Sequence, residues 1–149
     1  MIISSRSIPA NSSIPSDFTC NGRNINPPLE ITGVPGEARS LAIVLDDLDA
    51  PSGRFVHWTI WDMDPQVGKI EEGRVPAGAV EGETSARKTG YHGPCPPPGP
   101  PHRYFFKLYA LDDQLNLPPG SPVSDLENGM RNHVVAYAEL MATYSPSGG

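Results

Sequence analysis

Apolar and polar positions change period along the chain, and each change marks an element. Ile2 and Ser4 alternate weakly with Ile3 and Ser5 before Ser, Asn and Pro take over, so residues 1–16 read as an edge strand and a loop. Phe18-Thr19-Cys20-Asn21-Gly22 carries an Asn-Gly turn signal, and the prolines of Ile25-Asn26-Pro27-Pro28-Leu29-Glu30-Ile31 force an extended path. Leu41-Ala42-Ile43-Val44-Leu45 is a continuous apolar run, the pattern of a strand covered on both faces. A second strand follows in 54–62, where period two groups His57, Thr59 and Trp61 against Val56, Trp58 and Ile60. Residues 62–90 hold no pattern for long and read as an excursion with short strands. The alternation resumes at His102, with Tyr104, Phe106, Leu108 and Ala110 on one face and Arg103, Phe105, Lys107 and Tyr109 on the other. Ser124-Asp125-Leu126-Glu127 fits a capping box, predicting a short helix over about 123–131, and Val134–Tyr144 reads as a final strand.

Composition supports this β-rich reading. The 18 prolines and 15 glycines are about 22% of the 149 residues, against roughly 12% in an average protein. Punctuation that dense favours an all-β fold with one or two short helices, in a single domain spanning residues 1–149. The net charge of -6 disfavours a nucleic-acid partner but leaves room for one bound anion, which feels its local donors first. Met1–Arg6 lacks the features of a signal peptide, and no apolar run approaches 18 residues, so the expectation is a cytoplasmic protein without stable membrane insertion. The two cysteines, Cys20 and Cys95, match no metal or redox spacing. A bridge between them and a pair of small buried thiols both stay open at this point.

Candidate chemistry gathers at the ends of the predicted strands. Gly90–Tyr104 is a proline-rich loop running into a strand, and from 93 to 102 only Gly93, Cys95, Gly99 and His102 keep a backbone N–H. His102 and Tyr104 share a side of that strand, and both donate readily to a phosphate or carboxylate oxygen. Asp46, Asp47 and Asp49 follow the apolar run and need partners or water, with Ala50-Pro51 a candidate cis bond. His57 lies close enough along the chain to meet them. No G-x-S-x-G elbow marks a nucleophile, no metal spacing is present, and a hydrolase is the weakest reading. Carboxylates beside an anion are compatible if one is protonated, orients a charged imidazole or meets the cationic part of a zwitterion, and each option predicts pH-dependent binding.

Asp47-Leu48-Asp49-Ala50-Pro51, then His57-Trp58, then Gly90-Tyr91-His92-Gly93-Pro94-Cys95-Pro96-Pro97 with His102-Arg103-Tyr104 resemble the signatures of the phosphatidylethanolamine-binding protein family, also called the Raf kinase inhibitor protein family. Phe18–Gly22 and Ile25–Leu29 are similar to its bacterial and archaeal branch. The resemblance implies a Greek-key β-sandwich with a small anion pocket, no cofactor, no metal and no catalysis. Carried over by position, Asp47 and Asp49 match the acid pair, Pro51 the proline after it, and His57 and His102 the two histidines. Tyr104 matches the tyrosine, and Cys95 falls where animal members place a glycine whose amide faces the ligand; Gly93 keeps the neighbouring amide. The implied partner is a phosphate-bearing head group, a nucleotide or a small anion, with inhibition of a serine protease or kinase as the alternative and a homodimer left open. Animal members carry a further C-terminal helix beside the pocket, and none is expected after Tyr144.

Overall fold

The computed structural model describes residues 1–146 and shows two antiparallel sheets packed face to face. The smaller sheet contains β1 (Ile2–Ser4), β2 (Leu29–Thr32) and β5 (Lys69–Ile70) in the order β1-β2-β5. The larger contains β3 (Ser40–Ala50), β4 (Gly53–Met63), β6 (Val80–Glu81), β7 (His102–Leu111) and β8 (Val134–Tyr144), ordered β6-β4-β3-β7-β8. In chain order β3, β4 and β6 lie side by side, and β7 then returns to the free side of β3, which is a Greek key. The edge strand at the N-terminus, the short strands of the excursion and the long final strand all form. The expectation of no helix after Tyr144 reaches into Ser147–Gly149, which lie outside the described residues.

Both faces of the larger sheet are covered, which is why β3 reads as an unbroken apolar run. Its inner face contributes Leu41, Ile43, Leu45, Tyr104, Phe106 and Leu108 to a core closed by Ile3, Leu29, Ile31 and Ile70 of the smaller sheet. Its outer face packs Ala42, Val44, Val56 and Trp61 against Leu126 and Met130 of α1 (Val123–Met130). The helix lies where its pattern places it, but the capping box does not form. Pro122 is the N-cap, no side chain caps the first turn, and Ser124 lies inside the helix. Proline there costs nothing, because the first-turn N–H groups have no helical partner anyway.

Three further expectations are corrected. β3 does not stop at Leu45: it continues to Ala50, so Asp46 and Asp47 are strand residues, 0% and 3% exposed, rather than members of a solvated loop. Every peptide bond among the described residues is trans, Ala50-Pro51 included; the reversal through Pro51 and Ser52 is completed by Gly53, at φ 106. Period two fails inside β4. Leu45 pairs with Trp58 while Asp46 pairs with Val56, so β4 carries one extra residue, His57. Such a bulge re-aims a side chain. His57 therefore turns to the inner side with Tyr104, while Thr59 and Trp61 stay on the outer side.

Candidate functional site

The inner face of the larger sheet runs out of apolar residues at one end, and a cavity of about 380 Å³ opens there. The register puts Asp47 opposite Tyr104 on one side and Phe55 on the other, and His102 is the first residue of β7. Three separate strands thus bring Asp47, His57, His102 and Tyr104 around one space, with Pro51 and Cys95 at its rim.

Asp47 is the hub. Its Oδ2 accepts from His102 Nδ1 at 2.7 Å, and its Oδ1 accepts the Asp49 amide at 2.8 Å. Since a carboxylate only accepts, the proton on His102 is held at Nδ1, and Nε2 is the nitrogen left for a ligand. His57 is fixed in the same sense by a different partner: its Nδ1 donates to the His92 carbonyl at 2.7 Å, and the His92 amide donates back to the His57 carbonyl at 2.9 Å. Burial drives the His57 pKa down to about 4; the His92 carbonyl, the Asp47 charge and the Gly93 backbone oppose this only in part, and the neighbouring His92 imidazole adds to it. Its ring is neutral at pH 7, so Nε2 is an acceptor.

Tyr104 completes the wall. Its hydroxyl is fully buried and has no hydrogen-bond partner among the described residues. Burial, then the neighbouring Asp47 charge, pushes its pKa upward, so the phenol keeps its proton; it lies near that carboxylate but outside hydrogen-bonding geometry. A buried, unpaired hydroxyl beside a cavity is costly unless something enters to pair with it.

The structure departs from the expected site at two residues. Asp49 does not line the cavity. It clamps Arg103, accepting from the backbone amide, Nε and a terminal guanidinium nitrogen, each at 2.9 Å, and the guanidinium holds its carboxyl down to about 2. Gly93 does not line it either, because its amide is committed to Asn24 Oδ1 at 2.8 Å. Of the lining residues that the sequence left unassigned, two bear directly on His57. His92 stacks on His57, with centroids 6.1 Å apart and planes 4° apart, and Phe55 lies 4.7 Å from the His57 ring. His92 sits inside the Gly90–Pro97 motif; its signal was present, but only the fold shows that its carbonyl orients His57. No group of three or more His, Cys, Asp and Glu among the described residues is arranged to hold a metal.

The proline-rich loop forms the outer wall and is stitched to the N-terminal segment. Cys20 and Cys95 form a disulfide, with Cα atoms 5.4 Å apart, which resolves the pairing left open by the sequence. The Cys20 amide donates to the Pro94 carbonyl at 3.1 Å, and the Tyr91 hydroxyl to the Phe18 carbonyl at 2.6 Å.

The family model described as phosphatidylethanolamine-binding protein matches residues 4–145. The chain belongs to that family. Among its relatives, a UPF0098 protein of Methanothermobacter thermautotrophicus is 49% identical over 136 residues, covering 88% of this chain and 89% of that protein. One of Pyrococcus horikoshii is 45% identical, covering 90% and 71%. Crystal structures agree: a phosphatidylethanolamine-binding protein homologue of Chlamydia trachomatis superposes with a TM-score of 0.92 at 37% identity over 97% of this chain and 96% of its own. Escherichia coli YbcL, described as a new member of the mammalian PEBP family, gives 0.90 at 27%, covering 96% of each chain. In this phosphatidylethanolamine-binding protein family member the larger sheet, the cavity and the wall loop all fall within the matched span. No helix among the described residues is long and apolar enough to cross a membrane.

Proposed function

We propose that the cavity binds a small phosphate-bearing head group, and that the protein acts by binding it rather than by turning it over. The observation that carries the reading is the buried Tyr104 hydroxyl without a partner, set beside His102, whose Nδ1 proton Asp47 holds. Tyr104 donates one hydrogen bond to a phosphate oxygen, and His102, its Nδ1 held by Asp47, offers Nε2 for a second. Neutral His57 turns an acceptor toward the cavity, which suits a P–OH. The preferred ligand form is therefore the monoanion of a phosphate monoester, since a dianion would set a bare oxygen against the His57 lone pair and the Asp47 charge. A phosphoethanolamine head group meets these requirements, and its ammonium can lie toward the Asp47 side of the rim.

Isothermal calorimetry with phosphoethanolamine tests this. Tyr104→Phe and His102→Ala are each expected to cost about 1.5–3 kcal/mol of binding, the value of a hydrogen bond to a charged group. Unchanged affinity in both variants overturns the reading. A phosphate monoester loses its second proton at about pH 6, so affinity is expected to fall at least severalfold between pH 5.5 and 8. A flat or rising profile sinks the preference for the monoanion.

Inhibition of a protease or kinase is the second reading, and one observation favours it. Cys95 and residues 97–101 are solvent-exposed while anchored at Cys95, a presentation that lowers the ordering cost of docking. A panel of serine proteases and kinases unaffected by micromolar protein counts against it.

A further inference from the structure

The wall loop is short of the usual means of attachment. Between Pro94 and Gly99, Cys95 holds the only backbone N–H, because residues 96–98 are prolines. The hydrogen bonds that tie the loop down lie on either side of this stretch. The Gly93 amide reaches Asn24 Oδ1, the Pro94 carbonyl receives the Cys20 amide, and the Gly99 carbonyl receives Ser145 Oγ at 2.9 Å. Among the described residues, the bond that attaches Cys95–Pro98 to the body of the protein is the Cys20–Cys95 disulfide, and Cys95, Pro96 and Pro97 line the cavity. The covalent bridge stands where hydrogen bonds would otherwise hold the wall.

The same bond is open to attack. Cys95 is exposed, and Cys20 is half-buried. Thiol–disulfide exchange requires a sulfur that an incoming thiolate can approach in line, and access selects Cys95.

We propose that the Cys20–Cys95 disulfide is a thiol-exchange site for a dithiol reductant, and that its reduction releases Cys95–Pro98 and weakens ligand binding in the adjoining cavity. The ligand-binding part of this rests on the head-group reading above. In the first step a reductant thiolate attacks Cys95 Sγ and forms a mixed disulfide; the Cys20–Cys95 bond breaks, its electron pair leaves on Cys20 Sγ, and that thiolate takes a proton from water. In the second step the reductant's other thiolate attacks its own sulfur in the mixed disulfide. Cys95 leaves as a thiolate and is protonated, and the reductant departs as a disulfide. The protein gains two electrons and two protons, and the dithiol loses the same.

Two measurements on the full chain test this, and they fail separately. Hydrogen-exchange mass spectrometry compares the oxidised protein with protein held in dithiothreitol. The amides of Cys20, bonded to the Pro94 carbonyl, and Gly93, bonded to Asn24 Oδ1, are expected to exchange at least tenfold faster after reduction, while Phe106 and Leu108 of β7 stay protected. Persistence of the disulfide in native protein at millimolar dithiothreitol, or unchanged exchange at the Cys20 and Gly93 amides, overturns the proposal whatever the cavity binds. Calorimetry with phosphoethanolamine in both redox states is expected to show at least tenfold weaker binding after reduction, reversed on reoxidation. Equal affinity in the two states overturns the coupling. If the oxidised protein binds no phosphoethanolamine, the head-group reading fails instead, and the exchange measurement still decides the release of the wall. Cys20→Ser keeps the cavity lining intact and is expected to reproduce the reduced state in both measurements; loss of β7 protection in that variant marks misfolding, and the reversible reduction of the unaltered chain then stands as the deciding comparison.

Discussion

His57 shows how one imidazole links stability to acidity. In the unfolded chain it titrates near 6.5, and in the fold burial lowers it to about 4. The folded state thus binds fewer protons in that window, so the stabilisation is complete above pH 6.5 and is lost as pH falls toward 4. The full shift corresponds to about 3 kcal/mol. Urea midpoints measured from pH 7.5 to 4 are expected to fall with that slope and to flatten in His57→Gln, which keeps a side-chain donor for the His92 carbonyl. An equal slope in the variant would remove His57 as the cause. The Asp49 carboxyl works in the same sense at lower pH, where its clamp on Arg103 weakens, but its exposure to solvent makes its contribution small. That His102 and Tyr104 share one side of a strand was legible from the chain alone, because alternation along β7 constrains them. Asp49 was misplaced for a physical reason: neighbouring acids look alike in a sequence, and only the position of Arg103 separates the one that pairs with a guanidinium from the one that faces the cavity.

The bulge in β4 and the wall loop are the two elements that make the cavity. Alternation predicts a strand through 54–62 correctly, yet it assigns His57 to the wrong face, because a period carries no record of an inserted residue. That insertion is decided by pairing with β3, where Asp46 must meet its cations on the outer face while Leu45 stays in the inner core. The wall depends on a close approach at Gly93. A Cβ there would collide with the Phe18 carbonyl oxygen, Asn24 Oδ1 and the Thr19 Cα, two of them backbone atoms that cannot swing away. Gly93→Ala is expected to cost about 1–3 kcal/mol in urea unfolding and to weaken head-group binding by displacing the wall. Wild-type stability in that variant would show that the N-terminal segment yields more easily than the backbone contacts imply. The helix teaches a similar lesson: its pattern located it, whereas the anticipated cap did not form because the helix begins at Val123, with Pro122 as N-cap and Ser124 already inside.

The whole molecule is arranged around a sheet covered on both sides, and this has a cost at Asp46. That carboxylate is fully buried; its Oδ2 receives Arg54 Nε and Lys107 Nζ, both at 2.9 Å, and Oδ1 has no partner among the described residues. Lys107→Met is expected to destabilise by about 2–4 kcal/mol by leaving the charge with a single cation. Asp46→Asn combined with Lys107→Met is expected to recover part of the loss, and a combined loss equal to the sum would argue against direct coupling. The bottom of the cavity is continuous with the inner core, so the binding groups are held by the same strands that stabilise the fold.

Local patterning alone specified the β-rich class, the strands β3, β4, β7 and β8 and the helix, because side-chain periodicity and proline punctuation act over a few residues. The partner of each group came only with the folded chain: which aspartate meets which histidine, the face taken by His57, and the joining of Cys20 to Cys95 across 75 residues. Those choices depend on sheet register and on the packing of distant segments. Both are long-range competitions whose outcome no short stretch of sequence contains.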